Sequence, residues 1–131
     1  MNVLVTGDHG YIGSVLVPLL IDKGFNVKGL DTDFFGKGNF DSYPSIKKDI
    51  REVTEQDLQG IDSIIHLSAL SNDPMGELDP NLTTDINFNA SVKLAKLAKK
   101  SGVKRFIFSS SCSIYGIAKN NIVNENSEVN P

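Results

Sequence analysis

Three glycines near the start of the chain, Gly7, Gly10 and Gly13, form the pattern G-x-x-G-x-x-G. They separate a β-branched apolar run at residues 2–6 from a helical pattern at residues 11–23. In this setting the first glycine permits a tight turn, the second lets the backbone approach a pyrophosphate, and the third lets helix and strand pack closely. The N-terminus of the helix adds free N–H groups and about half a positive charge. The pattern therefore predicts a turn that binds the phosphates of a dinucleotide.

An acidic residue, Asp31, ends the next β-type run, at residues 26–31, and follows Gly13 by 18 residues. A carboxylate there can accept hydrogen bonds from the ribose hydroxyls of an adenosine. Its presence favours a cofactor-binding role for the glycine turn over a purely structural one. A 2′-phosphate would meet the same negative charge, so we expect NAD to be preferred over NADP. A P-loop is excluded, because no Gly-Lys-Ser/Thr follows the glycines.

The composition fits a single globular domain: the chain has 131 residues, of which 40% are hydrophobic and 22% charged. The net charge of −3 argues against a nucleic-acid partner, which normally requires a basic surface. The longest apolar run, residues 15–21, is far shorter than the ~20 residues of a membrane span, so no membrane partner is expected. The one cysteine, Cys112, is expected to be a small buried side chain in a reducing, cytoplasmic setting.

Short β-type runs alternate with helical patterns along most of the chain. Strands are predicted at residues 2–6, 26–31, 46–49, 63–67 and 104–109, helices at 11–23 and 81–100, and a helical turn or more at 54–58. This alternation predicts a Rossmann-like, doubly wound parallel sheet of about five strands in a three-layer α/β/α domain at residues 1–116. The asparagine-rich residues 117–131 show little periodicity and are expected to form a surface loop or tail.

Four segments beyond the glycine turn also carry recognisable motifs. They are Asp49-Ile50, His66-Leu67-Ser68-Ala69, Asn87, and Phe108-Ser109-Ser110-Ser111 with Ile114-Tyr115-Gly116. Together with the turn, these segments resemble the extended short-chain dehydrogenases, the NAD-dependent nucleotide-sugar epimerases and dehydratases, over residues 2–116. The resemblance implies NAD as cofactor, with contacts from Gly7, Gly10, Tyr11, Ile12, Gly13, Asp31, Asp49, Ile50, Leu67, Ser68, Ala69, Asn87 and Ser109.

By the same resemblance, Ser111 holds the position of the catalytic serine or threonine, which hydrogen-bonds the reacting sugar hydroxyl. In the family, the tyrosine of a Tyr-x-x-x-Lys pair on the following helix removes the proton of that hydroxyl, and hydride passes to NAD. The 4,6-dehydratases of the family carry Asp-Glu directly after the catalytic threonine, where this chain has Cys112 and Ser113. The resemblance therefore favours an epimerase, a reductase or a related oxidation.

The family's Tyr-x-x-x-Lys helix and its substrate domain come later than residue 131, so we expect the chain alone to be inactive. A nucleotide sugar would bind only if a substrate domain completed the site. Tyr115 and Lys119 do spell Tyr-x-x-x-Lys, but Gly116 directly after the tyrosine disfavours the helix that this pair requires. Two hypotheses stay open: the cofactor part of an epimerase-like enzyme, and a stand-alone, non-catalytic NAD-binding or redox-sensing module.

The helical pattern at residues 81–100 carries two apolar surfaces. One stripe consists of Ile86, Ala90, Leu94, Leu97 and Ala98, and a second patch consists of Phe88, Val92 and Ala95. The sheet can cover only one of these surfaces, so we expect self-association through the other.

Neither histidine has neighbours in the sequence that suggest a metal site, and no metal is expected. His66, in the fourth predicted strand, is expected to be a packed or backbone-bonded core residue. His9, in the glycine turn, is expected either to touch the pyrophosphate or to be exposed to solvent.

Overall fold

The computed structural model describes residues 1–34, 36, 42–71, 78–117 and 122–131. Five strands are present among them: β1 (Asn2–Thr6), β2 (Asn26–Asp31), β3 (Ser45–Lys47), β4 (Ser63–His66) and β5 (Arg105–Phe108). They form one parallel sheet in the order β3-β2-β1-β4-β5. The predicted doubly wound sheet is confirmed.

The helices connect these strands in the order that the alternating pattern predicts. Helix α1 (Gly13–Asp22) follows β1, while α2 (Pro80–Thr84) and α3 (Ala90–Lys100) precede β5. A π-helical turn, Asp85–Asn89, joins α2 to α3, so the continuous helix predicted at residues 81–100 is divided. Short 3₁₀ turns occupy Ile50–Glu52, Glu55–Leu58 and Cys112–Tyr115.

Alternate residues of β1 face two separate cores, one on each side of the sheet. Leu4 packs in the core that includes α3, whereas Val3 and Val5 pack with Val17 of α1. The first apolar stripe predicted on the long helix does face the core: Ala90, Leu94 and Ala98 are buried in it, and Ile86 and Leu97 pack against it half-buried. Each fully buried leucine contributes about 1.5–3 kcal/mol to folding. Helices on both faces give the predicted three layers.

The direction in which the sheet grows reverses at β1. Strands β2 and β3 lie on one side of β1, and β4 and β5 lie on the other. In open α/β sheets, ligands bind beyond the carboxyl ends of the strands at such a switch point. The segments that follow β1 and β4 are therefore the first place to examine for a site.

Two further features lie outside the sheet. Cys112 is exposed at the start of a 3₁₀ turn, so the prediction of a buried cysteine is wrong: the residue comes after β5 has ended. In the tail, residues 122–131 are irregular apart from a turn at 125–127, and Asn130 donates its backbone N–H to the carbonyl of Ile114 at 2.9 Å. None of the described helices is long and apolar enough to cross a membrane.

Candidate functional site

The glycine turn after β1 has the geometry that its spacing predicts. Gly7 has φ +74, a left-handed conformation that favours glycine, and its N–H donates to the carbonyl of Leu30 at 2.8 Å. A Cβ on Gly13 would overlap the carbonyl oxygen of Gly7 and lie 2.6 Å from Cα of Asp8. Only glycine allows the first turn of α1 to approach β1 this closely.

The turn also packs directly against the segment that follows β4. A Cβ on Gly7 would lie 3.0 Å from the carbonyl carbon of Leu67 and 3.0 Å from the backbone nitrogen of Ser68. Leu67 and Ser68 are half-buried, and Ala69 is exposed. The switch point of the sheet is thus a close contact between two backbone segments, both of which were predicted to bind the cofactor.

The N-terminus of α1 is open to solvent. Tyr11 is 94% exposed and Ile12 is 56% exposed, and no side chain of the described residues caps this helix end. The N–H of Ser14 donates to the carbonyl of Gly10 at 2.9 Å and that of Val15 to the carbonyl of Ile12 at 3.2 Å, so the attraction for an anion here comes chiefly from the helix dipole. The first turn of α1 contains no acidic residue. This helix end can therefore bind a phosphate.

Asp31, at the end of β2, is held next to the glycine turn by backbone hydrogen bonds. Its Oδ2 accepts from the N–H of His9 at 3.3 Å, and its Oδ1 accepts from the N–H of Asp33 at 2.8 Å. Asp33 itself adopts a left-handed conformation with φ +61. The carboxylate keeps further lone pairs for a ligand.

A second carboxylate of the turn, Asp8, is fully buried, and sequence reasoning did not single it out. Its Oδ2 accepts from the hydroxyl of Tyr43 at 2.9 Å and from that of Ser45 at 2.8 Å, while its Oδ1 has no hydrogen-bond partner among the described residues. Burial and the neighbouring Asp8 raise the pKa of Tyr43. A Cβ on Gly29 would overlap this carboxylate, so the absence of a side chain at Gly29 makes room for Asp8.

The side chain of His9 is only 6% exposed, so the interpretation of His9 as a solvent-exposed turn residue is wrong. Its Nδ1 lies 3.2 Å from Asp33, and its Nε2 lies 3.4 Å from Asp8. Contacts with these two carboxylates, of Asp33 and Asp8, provide polar partners for the buried imidazole ring.

Asp49 and Ile50, predicted to contact the adenine ring, lie after β3. The Asp49 carboxylate binds the Arg51 guanidinium through two hydrogen bonds of 3.0 and 2.6 Å, which lower the pKa of Asp49. The Ile50 side chain is buried in the core beneath α3. Both side chains therefore have partners within the protein, and their contact with adenine stays a prediction.

His66, the last residue of β4, is a buried core residue, as predicted, and its partners are side chains rather than backbone groups. Its Nδ1 lies 2.6 Å from Oγ1 of Thr6, and its Nε2 lies 2.8 Å from Oγ of Ser91. Its ring also lies beside those of Phe106 and Phe108. Burial lowers the pKa of His66 to about 4, so the ring is neutral near pH 7.

Asn87, in the π-helical turn, fixes the far end of the segment after β4. Its Oδ1 accepts from the N–H of Leu70, and its Nδ2 donates to the carbonyl of Leu70, both at 2.8 Å. The structure thus gives this predicted cofactor contact a clear role within the protein, which is to hold the backbone near Leu67, Ser68 and Ala69.

The residues after β5 are at the same edge of the sheet. The N–H of Ser109 donates to the carbonyl of His66 at 3.2 Å. Ser111 is exposed, and its hydroxyl accepts from the N–H of Ser113 at 3.2 Å, which caps the 3₁₀ turn. That turn ends at Tyr115, because Gly116 has φ +55 and is not helical. Lys119 lies outside the described residues.

Metal-ligating side chains do not converge at this edge. In the part of the chain that the structure describes, no three His, Cys, Asp or Glu residues form a group that could hold a metal ion.

Comparison with known proteins gives a consistent result. The model of the NAD dependent epimerase/dehydratase family matches residues 3–131. A UDP-glucose 4-epimerase of Mycolicibacterium smegmatis is 33% identical over 100% of this chain and 45% of its own length. A 4-epimerase of Escherichia coli that acts on N-acetyl-alpha-D-glucosaminyl-diphospho-ditrans,octacis-undecaprenol is 33% identical over 92% of this chain and 35% of its own length.

Solved structures of similar proteins share the fold. A UDP-N-acetylglucosamine 4-epimerase of Methanobrevibacter ruminantium, in complex with UDP-N-acetylmuramic acid, has a TM-score of 0.89 and 34% identity over 99% of this chain and 44% of that one. A UDP-glucose 4-epimerase of Stenotrophomonas maltophila with bound NAD has a TM-score of 0.91 and 28% identity over 98% of this chain and 42% of that one. The chain therefore spans less than half the length of these relatives.

Proposed function

The chain belongs to the NAD dependent epimerase/dehydratase family, and on that premise we propose that it binds NAD and forms the cofactor-binding part of a nucleotide-sugar epimerase-like oxidoreductase. When bound, NAD supplies the hydride acceptor for oxidation of a sugar hydroxyl. The residues of this chain bind and orient the cofactor. The epimerases that it resembles act on sugars carried by diphosphates, so we propose a nucleotide sugar as substrate.

The glycine turn is the observation that carries this proposal. Gly7 and Gly13 remove the side chains that would separate β1, α1 and the segment after β4. The uncapped end of α1 then faces solvent at the switch point of the sheet. A pyrophosphate meets N–H groups and the positive end of the helix dipole here, so the residues present fit the cofactor.

Other predicted contacts extend from the same place. Asp31 accepts hydrogen bonds from the adenosine ribose, and Asp49 with Ile50 borders the adenine. Leu67, Ser68 and Ala69 line the cofactor beyond the pyrophosphate, with Ser109 next to them. Asn87 acts on this segment through Leu70.

Ser111 is the residue of this chain that we assign to the chemical step. Its hydroxyl is exposed at the carboxyl edge of the sheet and can hydrogen-bond a sugar hydroxyl. A serine alone is a poor general base at neutral pH, so proton removal requires a further group. In our proposal that group, and most contacts with the sugar, come from a substrate domain that completes the site.

The setting that we propose is the cytoplasm. Cys112, the one cysteine of the chain, is an exposed free thiol, which suits a reducing compartment.

Calorimetric titration with NAD tests the proposal, and Ile12→Asp is the informative variant. An aspartate at the N-terminus of α1 interacts favourably with the helix dipole, by about 0.3–1 kcal/mol, but its charge repels a pyrophosphate. We expect at least tenfold weaker NAD binding with an unchanged or higher thermal midpoint. Leu19→Asp is the control, because Leu19 is 55% exposed on the same helix, farther from its N-terminus. Equal NAD binding by Ile12→Asp and the unmodified chain would contradict the proposed site.

A further inference from the structure

The segment after β4, residues 67–70, is held at both ends by side chains. At its start, the N–H of Leu67 donates to the backbone carbonyl of Thr6 at 3.0 Å and also lies 3.3 Å from Oγ1 of Thr6, while the N–H of Ser68 lies 3.4 Å from the same Oγ1. At its end, the amide of Asn87 pairs with both backbone groups of Leu70. The two anchoring side chains come from β1 and from the π-helical turn, which are far apart in the sequence.

A continuous line of hydrogen bonds connects these two anchors through the protein interior. Thr6 contacts Nδ1 of His66 at 2.6 Å, Nε2 of His66 contacts Oγ of Ser91 at 2.8 Å, and Oγ of Ser91 contacts the carbonyl of Asn87 at 2.8 Å. Thr6 is fully buried and His66 is 1% exposed. Ser91 and Asn87 are half-buried, so it is at the Thr6 and His66 end of the line that water cannot substitute for a lost partner.

The direction of each proton in this line follows from the donors and acceptors present. The carbonyl of Asn87 can only accept, so the single hydroxyl proton of Ser91 is donated to it. Ser91 must then accept from His66, which places the ring proton on Nε2. The unprotonated Nδ1 accepts the hydroxyl proton of Thr6, leaving the lone pairs of Thr6 for the N–H groups of Leu67 and Ser68. One neutral tautomer of His66 satisfies every member.

We propose that His66 and Ser91 are positioning residues for the NAD site, because they couple the two anchors that hold residues 67–70 against the glycine turn. This inference rests on the proposed function, since it concerns the cofactor predicted to lie beside Leu67, Ser68 and Ala69. The same line also meets the helix at the point where it is interrupted. Ser91 bonds back to Asn87 at the π-helical turn, and that turn directs the Asn87 side chain to Leu70.

Ser91→Ala is the test, because it removes one hydroxyl and leaves the helix-forming backbone intact. Two quantities are measured: the NAD dissociation constant, and hydrogen exchange of the Leu70 amide in the protein without cofactor. Ser91→Ala removes two hydrogen bonds, with His66 and with Asn87, and we expect NAD binding weakened about threefold to tenfold and Leu70 exchange accelerated by a similar factor. Ser91→Thr retains the hydroxyl and restores both values. NMR of the imidazole nitrogens shows His66 as the Nε2–H tautomer in the unmodified chain.

Ser101→Ala is the matched control, since its hydroxyl is also buried, lies just after α3, and has no hydrogen-bond partner among the described residues. It should change neither quantity. A lower thermal midpoint in Ser91→Ala with unchanged NAD affinity and unchanged Leu70 exchange would overturn the inference, as would Ser91→Thr behaving like Ser91→Ala. If the unmodified chain bound no NAD, the proposed function would fail, while Leu70 exchange and the His66 tautomer would still decide whether this line positions the segment.

Discussion

The backbone N–H of His9 donates to Oδ2 of Asp31 at 3.3 Å, which joins the glycine turn to the end of the neighbouring strand. The Asp31 carboxylate is thereby fixed beside the turn that we propose binds the pyrophosphate. Asp33 lies on the same side, 3.2 Å from Nδ1 of His9. Negative charge is therefore concentrated where the adenosine ribose of the cofactor would bind.

This arrangement predicts that NAD binds more tightly than NADP. A 2′-phosphate about 4 Å from the Asp31 carboxylate costs roughly 1–4 kcal/mol, depending on the local dielectric. Lys47 pairs with Asp33 at 3.5 Å, but its side chain is 72% exposed, so it offers a 2′-phosphate little compensation. Titration of both cofactors measures the difference. Asp31→Asn should reduce it, and Asp22→Asn, at the end of α1, should leave it unchanged; tighter binding of NADP by the unmodified chain would refute the prediction.

Gly13→Ala is predicted to destabilise the fold by about 3 kcal/mol or more, because the new Cβ has no space between α1 and the turn. Gly24→Ala is the control. Gly24 has φ +80 but nothing within 4 Å of a Cβ, so only backbone strain of about 1–2 kcal/mol applies. Urea unfolding of both variants measures the costs. Similar midpoints for the two variants would show that close packing at Gly13 is unimportant.

Because His66 is buried as a neutral ring, we predict that the stability of the fold falls as the solution is acidified. Burial lowers the pKa of His66 to about 4, whereas an unfolded histidine has a pKa of about 6.5. The unfolded chain therefore binds the proton more readily, and stability that is complete above pH 6.5 is lost as the pH falls towards 4. The loss between pH 7.5 and pH 5 is about 2 kcal/mol.

Urea unfolding at pH 7.5 and pH 5 measures this loss in the unmodified chain and in His66→Gln. His66→Gln should remove most of the pH dependence in this range. The carboxyl of Asp49, whose pKa is lowered by Arg51, contributes only at lower pH. A pH dependence that is the same with and without His66 would contradict the assignment.

The sequence was most informative where a local pattern corresponds to a local structure. The left-handed Gly7, the crowded Gly13 and the buried stripe of α3 each follow from the spacing of residues along one or two elements. Short apolar runs predicted all five strands of the described sheet, and in the central strands β1 and β4 the run reflects a parallel sheet that is apolar on both faces.

The features that could not be predicted depend on contacts between distant residues. The π-helical turn is associated with the pairing of Asn87 with Leu70, 17 residues away. His9 is buried because Asp33 lies beside it, 24 residues along the chain. Asp8 lies in the glycine turn, where a negative charge beside a phosphate site is unexpected. This unexpected acid was the one sequence feature that could have indicated a buried carboxylate.

Self-association is predicted through the second apolar patch of residues 81–100, which lies on the π-helical turn and on α3. Phe88 is 63% exposed and Val92 is 37% exposed, and Ala95 is also exposed. Val92→Glu should shift the chain towards monomer in sedimentation at high concentration. Lys96→Glu is the control, because it changes the charge of the same helix more than Val92→Glu does, at an exposed position outside the patch. A monomer at all concentrations for the unmodified chain would exclude this interface.

The 131-residue chain alone is predicted to bind NAD without converting nucleotide sugars. Turnover needs a general base at the sugar hydroxyl, a contribution of about 10²–10⁴-fold, and Ser111 cannot provide it unaided. Tyr115 ends a 3₁₀ turn, and Gly116 follows with φ +55, so the chain leaves helical geometry immediately after the tyrosine. A tyrosine and a lysine four residues apart share a face only on a helix. Tyr115 is therefore not expected to act as the base.

The assay incubates the chain with NAD and UDP-glucose or UDP-galactose, and follows epimer formation together with NADH absorbance. Positioning of a substrate by a complete site contributes as much as roughly 7–11 kcal/mol of the barrier, so the expected rate is below detection while NAD binding is retained. Ser111→Ala should leave NAD affinity unchanged, because its hydroxyl is assigned to the sugar. Measurable turnover that disappears in Tyr115→Phe would show that Tyr115 is the base after all, and that the segment after β5 becomes helical when substrate binds.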